Sequence, residues 1–455
     1  DQFGVKYDDL SLPVIIPGRV GAGKSSLNKY LVIQMVRTPR DFNVIIPDLK
    51  GEYRALQTYS KHLRVLTKKY ILINPLQVPD WMTPTEYIVF FSKLFTRENW
   101  LITTSESVLI KILTYIYKVR GIFDGSQNWP TLKDLYYVIS SRLESEKSFK
   151  FRDIYLWLLN RLDPYILSQN FDCRFGIPHR IWRTENVVLE MDSGFPDNMY
   201  SFIVSYLAGL RYTYNLTNKL VGSKLRTLFL CDEGRILFRT RDTAVFGESY
   251  ITEIVTKCRE FGVGYIVSSP ETASFNQTLR AVTYTKICFP LTDGEDKKFI
   301  KRSFGLDDEQ ADYLFKLPRY GQAIVRYGGY ENPFILGVPH LNLKRIVSDE
   351  QVQARMAEFY ADLRTEMRVD ETVEPIGVVE AEPAYAASLL YFLGKEPFAK
   401  VSEKKRAAGF KSPAEVAKAI GWLEKHGFVK RESYRDSKWG RKYVFAVLTL
   451  KASKH

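Results

Sequence analysis

The shortages in this sequence narrow it before any motif does. No apolar run comes near the roughly 18 to 20 residues that a membrane helix needs; the stretch 87–91, Tyr-Ile-Val-Phe-Phe, is far too short. Cysteine is scarce: Cys173, Cys231, Cys258 and Cys288 lie far apart, with no CxxC pair. The five histidines show no HExxH spacing. Both absences argue against a zinc site or a disulfide framework, and they fit a reducing, cytosolic setting. Acid is short relative to base, with 52 Asp+Glu against 65 Lys+Arg, a net charge of +13 over 455 residues. That excess invites a polyanionic partner. The rest of the composition is ordinary, at 45% hydrophobic, 14% aromatic and 26% charged, which rules out a disordered or collagen-like chain. At roughly 150 residues per domain, the length implies two to four domains. The chain opens at Asp1 without Met or a charged-then-apolar leader. It therefore reads as part of a longer protein, and a membrane anchor upstream stays open.

The sharpest motif comes early. The apolar stretch Leu12-Pro13-Val14-Ile15-Ile16 reads as a short buried strand and runs into Gly18-Arg19-Val20-Gly21-Ala22-Gly23-Lys24-Ser25-Ser26. A helix is expected from about residue 24 to 36. This is G-x-x-x-x-G-K-[ST] in the strand-loop-helix setting that the motif requires. Gly18, Gly21 and Gly23 let backbone N–H groups turn toward phosphates at a helix N-terminus, and Ser26 extends that wall. Lys24 would reach the β- and γ-phosphates of ATP, and the Ser25 hydroxyl would ligate Mg2+.

Such a site needs an acidic strand. Leu228-Phe229-Leu230-Cys231-Asp232-Glu233 is an apolar run ending in two carboxylates. Asp232 would hold the Mg2+ shell, and Glu233 would polarise the attacking water. The gap from the P-loop is too long for a minimal core and implies an insertion. Another strand, Val44-Ile45-Ile46, ends in Pro47-Asp48-Leu49-Lys50-Gly51-Glu52, making Asp48, Lys50 and Glu52 candidate neighbours, with a plain surface turn as the alternative. Ile251, Ile254, Val255 and Cys258 share one helical face, and Gly262 stops that helix before a strand at 264–269 and another at 284–289. The alternation predicts an α/β fold with a mostly parallel sheet.

Taken together, the P-loop, Asp48-Leu49-Lys50-Gly51-Glu52, Asp232-Glu233, Arg259-Glu260-Phe261-Gly262-Val263-Gly264 and Leu317-Pro318-Arg319-Tyr320-Gly321-Gln322-Ala323 resemble the HerA/FtsK superfamily of DNA-pumping ATPases. Within it they look most like conjugative coupling proteins of the TraG/TraD type, over residues 10 to 335. The resemblance implies a RecA-like P-loop motor (1–75 and 184–340) with an inserted all-α domain (76–183) and a homo-hexameric ring. It also implies an arginine acting on a neighbouring subunit's nucleotide. Arg259 is the candidate, with Arg280 and Arg302 as competitors. A relaxase or nuclease partner and membrane-associated secretion machinery at the inner membrane face are further implications. One departure stands out: where the superfamily usually places a Gln, the strand ends in Ser269, whose shorter side chain either acts through a water or leaves γ-phosphate sensing to another residue.

Helices fit the insert. Residues 104–120 place Val108, Leu109, Ile112, Leu113 and Ile116 on one face, and Thr131 with Asp134 can cap another helix. A helix at 349–367 is expected to lead into an acidic linker, 369–382, with five acids and no Lys or Arg. Residues 384–455 then hold 16 basic against 6 acidic residues, a local excess of ten. There, apolar residues 385–393 suggest a helix, Ser412-Pro413-Ala414-Glu415 caps another to about residue 426, and strands 428–432 and 443–448 suggest a hairpin. Helices followed by a basic-tipped hairpin look like a winged helix, with Lys418 and Lys425 on its helix and Arg435, Lys438, Trp439, Arg441 and Lys442 on its wing as DNA contacts.

The sequence thus points to an ATP-driven DNA translocase. Two alternatives stay open: a HerA-like motor for DNA end processing or viral packaging, and a nucleotide-dependent DNA-binding switch without sustained hydrolysis.

Overall fold

The computed structural model describes residues 3–191, 194–238, 243–318, 320–339, 341, 343, 347–367, 413–425, 429–435 and 442–448. The chain divides into two units, residues 1–136 with 157–370, and residues 137–156 with 371–455.

The first unit is built on nine strands: β1 (Val14–Pro17), β2 (Asn43–Asp48), β3 (Leu63–Leu66), β4 (Asn186–Glu190), β5 (Thr227–Cys231), β6 (Val263–Ser269), β7 (Thr285–Cys288), β8 (Gln322–Tyr327) and β9 (Phe334–Gly337). Their order is β3-β4-β2-β5-β6-β1-β7-β8-β9. Neighbours from β3 to β7 pair in parallel, and the β7, β8 and β9 pairings are antiparallel. Every residue of β1, β2, β5 and β6 is buried. Parallel strands covered on both faces have no polar side to show, so their sequences are nearly continuous apolar runs. In such sheets, ligands collect at the carboxyl ends of the strands.

Helix α1 (Lys24–Val36) leaves β1 through the P-loop and buries Leu27, Asn28, Val32, Ile33, Met35 and Val36. Between β3 and β4 the chain forms α2 (Pro84–Glu98), α3 (Thr103–Val119), α4 (Leu132–Ser145) and α5 (Phe149–Leu167). The expected stripe of α3, Val108 to Ile116, is buried. The Thr131 cap forms as well, its hydroxyl accepting from the Asp134 N–H at 3.4 Å while the Asp134 carboxylate accepts the Thr131 N–H at 2.7 Å. The helix expected through Cys258 is shorter. It covers Tyr250–Val255, and a separate 3-10 turn follows at Cys258–Phe261. The Lys257 N–H bonds back three residues to the Ile254 carbonyl at 2.9 Å, which tightens and ends the α-helical ladder. Gly262 stops that turn in the left-handed region at φ 67°.

Strand β3 is an edge of the sheet, and the helix Asp349–Glu366 covers it. Its Tyr360 donates to the Val65 carbonyl at 2.6 Å and stacks on Tyr70 with ring centroids 3.6 Å apart. Covering an edge in this way removes a template for unwanted strand pairing.

In the second unit, the helix Pro413–Lys425 buries Val416, Ala419, Trp422 and Leu423, and β10 (Val429–Arg435) pairs antiparallel with β11 (Lys442–Leu448). The expected Ser412 cap, the helix at 385–393 and the acidic linker lie outside the described residues.

Candidate nucleotide site

Four strand ends meet around the P-loop. The turn is pinned from both sides: the Gly18 N–H donates to the Ser269 carbonyl at 3.1 Å, and the Arg19 N–H to the Pro290 carbonyl at 2.9 Å. Gly18 has no room for a side chain, because a Cβ there would come within 2.5 Å of the Phe289 Cβ. Gly23 has φ 112°, which an L side chain rarely adopts, and it begins α1 without a side-chain cap. The first N–H groups of α1 are thus left to whatever anion lies in front of them.

Lys24 opens that helix and folds its ammonium over the loop, donating to the Gly18 carbonyl and to the Arg19 carbonyl at 3.0 Å. Burial pushes its pKa down to about 8, against the opposing pull of Asp232. Ser25 and Ser26 follow in the first turn, both half-buried.

Asp232 and Glu233, adjacent at the end of β5, are held in different ways. Asp232 is largely enclosed. One carboxylate oxygen accepts from the Tyr53 hydroxyl at 2.6 Å and the other from the Asn28 side-chain amide. Burial raises its pKa above the usual carboxylate value. Glu233 instead meets cations, with Lys50 Nζ at 2.5 Å and Arg235 Nε at 3.2 Å. Burial depresses Lys50, but the bond to Glu233 together with the charges of Glu233, Asp232 and Glu52 outweighs it, and the net shift is upward.

The run after β2 draws this cluster together. Asp48 is not a free acid at the site: its carboxylate accepts the N–H groups of Lys50 at 3.0 Å and Tyr53 at 2.8 Å, which shapes the turn. Lys50 reaches Glu233, and Glu52 pairs with Lys29 on α1 at 2.7 Å. Sequence reasoning missed Asn28 and Tyr53. The available signals were that Asn28 lies one helical turn beyond Lys24, next to Leu27, and that Tyr53 directly follows the acidic run.

Ser269 is fully buried, its backbone carbonyl bonds the P-loop, and its hydroxyl has no partner among the described residues. Arg259 is not brought to this cluster. It is exposed in the turn before β6, at the amino end of the strand. Seven extended residues, about 20 Å, separate that end from Ser269. Arg280 is engaged elsewhere, donating to the Phe275 carbonyl and lying 4.8 Å from the Phe299 ring centroid. Arg302 is exposed in the last turn of the helix Gly294–Phe304.

Of the proposed DNA contacts, Lys418 is exposed on its helix and Lys425 is the last residue of that helix. The register sets Arg435 opposite Lys442. Lys438, Trp439 and Arg441 lie outside the described residues. No helix among the described residues is long and apolar enough to cross a membrane.

Residues 9–169 match the family model of the central domain of helicase HerA. Over 363 residues, the chain is 22% identical to the DNA double-strand break repair helicase HerA of Sulfurisphaera tokodaii, covering 76% of this chain and 69% of that protein. Among solved structures, VirB4 of Thermoanaerobacter pseudethanolicus is similar with a TM-score of 0.53 at 18% identity, over 73% of this chain and 90% of that one. The plasmid coupling protein TrwB, solved with ADP and Mg2+, gives a TM-score of 0.51 at 12% identity, over 75% and 87%. The chain has the mixed α/β fold of P-loop ATPases of the HerA/FtsK type.

Proposed function

We propose that this chain is an ATP-driven DNA translocase whose nucleotide lies across the carboxyl ends of β1 and β5. The observation that carries this reading is the convergence of Lys24, Asp232 and Glu233 from elements about 200 residues apart in sequence, close enough for both acids to act on the Lys24 charge. The N–H groups of the P-loop and of the first turn of α1 receive the phosphates, with Gly18, Gly21, Gly23, Ser26 and Ser269 forming the wall. Lys24 follows the charge of the transferred phosphoryl group. The Ser25 hydroxyl and the Asp232 carboxylate are hard oxygen donors that suit Mg2+. Bound there, Mg2+ neutralises charge on the phosphates. Glu233 orients the attacking water.

The DNA half of the reading draws on the likeness to a protein named as a DNA helicase and on the basic excess of residues 384–455. That segment acts as a winged helix, with Lys418, Lys425, Arg435, Lys438, Trp439, Arg441 and Lys442 contacting phosphates and bases. A ring of six copies sets Arg259 against the nucleotide of the next copy. In that reading residues 76–183 serve as an all-α docking domain for a relaxase or nuclease, and a segment upstream of Asp1 attaches the ring to secretion machinery at the inner membrane face.

A nucleotide-operated DNA-binding switch is the second reading, and the ion pairing of Glu233 with Lys50 and Arg235 favours it. Replacing Lys24 with Ala should lower ATP turnover by on the order of 10² to 10³. Turnover that survives the change sinks the site assignment.

A further inference from the structure

Asp232 has both carboxylate oxygens engaged by uncharged donors from two other elements. Tyr53 comes from the turn after β2 and is 1% exposed. Its hydroxyl lies 2.6 Å from Asp232 Oδ2. Asn28 comes from α1, one turn beyond Lys24, and is fully buried. Its Nδ2 donates to Asp232 Oδ1 and also to the Ser268 hydroxyl on β6 at 2.8 Å. An ionised carboxylate only accepts, so the amide must turn its nitrogen toward Asp232. Asn28 Oδ1 has no partner among the described residues, so the two donated bonds are what orient the group.

We propose that Tyr53 and Asn28 are positioning residues that hold the Asp232 carboxylate in the orientation from which it serves the Mg2+ of the bound nucleotide. Asn28 thereby ties the phosphate-binding helix, the acidic strand and β6 to one another. The tie falls at Ser268, directly before Ser269 at the carboxyl end of β6. A carboxylate has about four lone-pair sites, so two received bonds fix its plane and leave room for the metal's water shell. Neutral donors suit this task because they orient the group without neutralising the charge that attracts the cation. Partners of this kind behind a metal-binding group typically change metal affinity by about 10- to 100-fold when removed.

The inference rests on the reading of this cleft as a Mg2+-nucleotide site, and the test separates the two. Binding of a fluorescent ADP is measured in EDTA and across a Mg2+ titration for the wild type, Tyr53→Phe, Asn28→Ala and Asp232→Ala, each with a melting curve. Tyr53→Phe and Asn28→Ala are expected to raise the Mg2+ midpoint about tenfold or more, with affinity in EDTA unchanged. Asp232→Ala should abolish the Mg2+ response. Equal loss of affinity with and without Mg2+, or lower melting temperatures with an unchanged midpoint, overturns the positioning role while leaving the site intact. A Mg2+ response that survives Asp232→Ala overturns the site reading itself. If Asn28→Ala does not fold, the near-isosteric Tyr53→Phe decides alone.

Discussion

The two edges of the sheet both carry many charges and treat them in opposite ways. At the carboxyl edge, Lys24, Lys50, Asp232 and Glu233 come from three separate segments; Lys24, Asp232 and Glu233 sit within the cleft, and the exposed Lys50 reaches in to pair with Glu233. At the amino edge, Arg37, Arg40, Lys224, Lys257 and Arg259 precede β2, β5 and β6 and are exposed. Their ion pairs, such as Lys257 with Glu253 at 3.0 Å, lie at the surface and contribute little in water. Two lysines show the contrast. Burial pushes Lys24 down to about 8, whereas the bond to Glu253 moves Lys257 upward. Charge density alone therefore does not mark a site; the enclosure of charges drawn from distant segments does.

The strongest way to break this comparison is at Arg259. Within one chain it belongs to the inert edge; in the proposed ring, a neighbouring copy would give it a nucleotide to act on. Arg259→Ala is expected to cut turnover by on the order of 10³ with nucleotide affinity unchanged, the mark of an arginine acting in trans. Unchanged turnover would confine the chemistry to the carboxyl edge.

A smaller effect comes from the Lys24 ammonium. Its pKa is about 8 in the free protein, and phosphate charge beside it must raise that value. Binding then takes up a proton above pH 8, so affinity should fall by up to about tenfold per pH unit from there toward the bound-state pKa. Below pH 8 the lysine is charged in both states and the dependence should vanish. Calorimetry at pH 7 and pH 9 in buffers of different ionisation enthalpy reads the proton directly.

The smallest effect is on packing. Gly18→Ala drives a methyl into Phe289 and should destabilise the chain by about 1–3 kcal/mol, read as a lower melting temperature. An alanine variant as stable as the wild type would show that the P-loop floor is looser than its 2.5 Å approach implies.

The same contrast explains what could be read in the sequence. Strands β1, β2, β5 and β6 are legible because burial on both faces leaves uninterrupted apolar runs, and α1 is legible because the P-loop motif fixes its start. Strands β3 and β8 include Arg64 and Arg326 and are short or antiparallel, so no run announces them. Within the site, Lys24, Asp232 and Glu233 come from motifs. Asn28 and Tyr53 do not, because their partner Asp232 lies 204 and 179 residues away, and only folding sets a lone polar residue against it. The turn chemistry of Asp48 was hidden for a related reason. A carboxylate that accepts its own loop's N–H groups looks, in sequence, like one free to react.

The most direct measurement is the ATPase rate of the wild-type chain with and without double-stranded DNA, beside Lys24→Ala under the same conditions. A motor requires strong stimulation by DNA in the wild type and loss of turnover in the variant. A rate that DNA does not change, or one that Lys24→Ala retains, would contradict it.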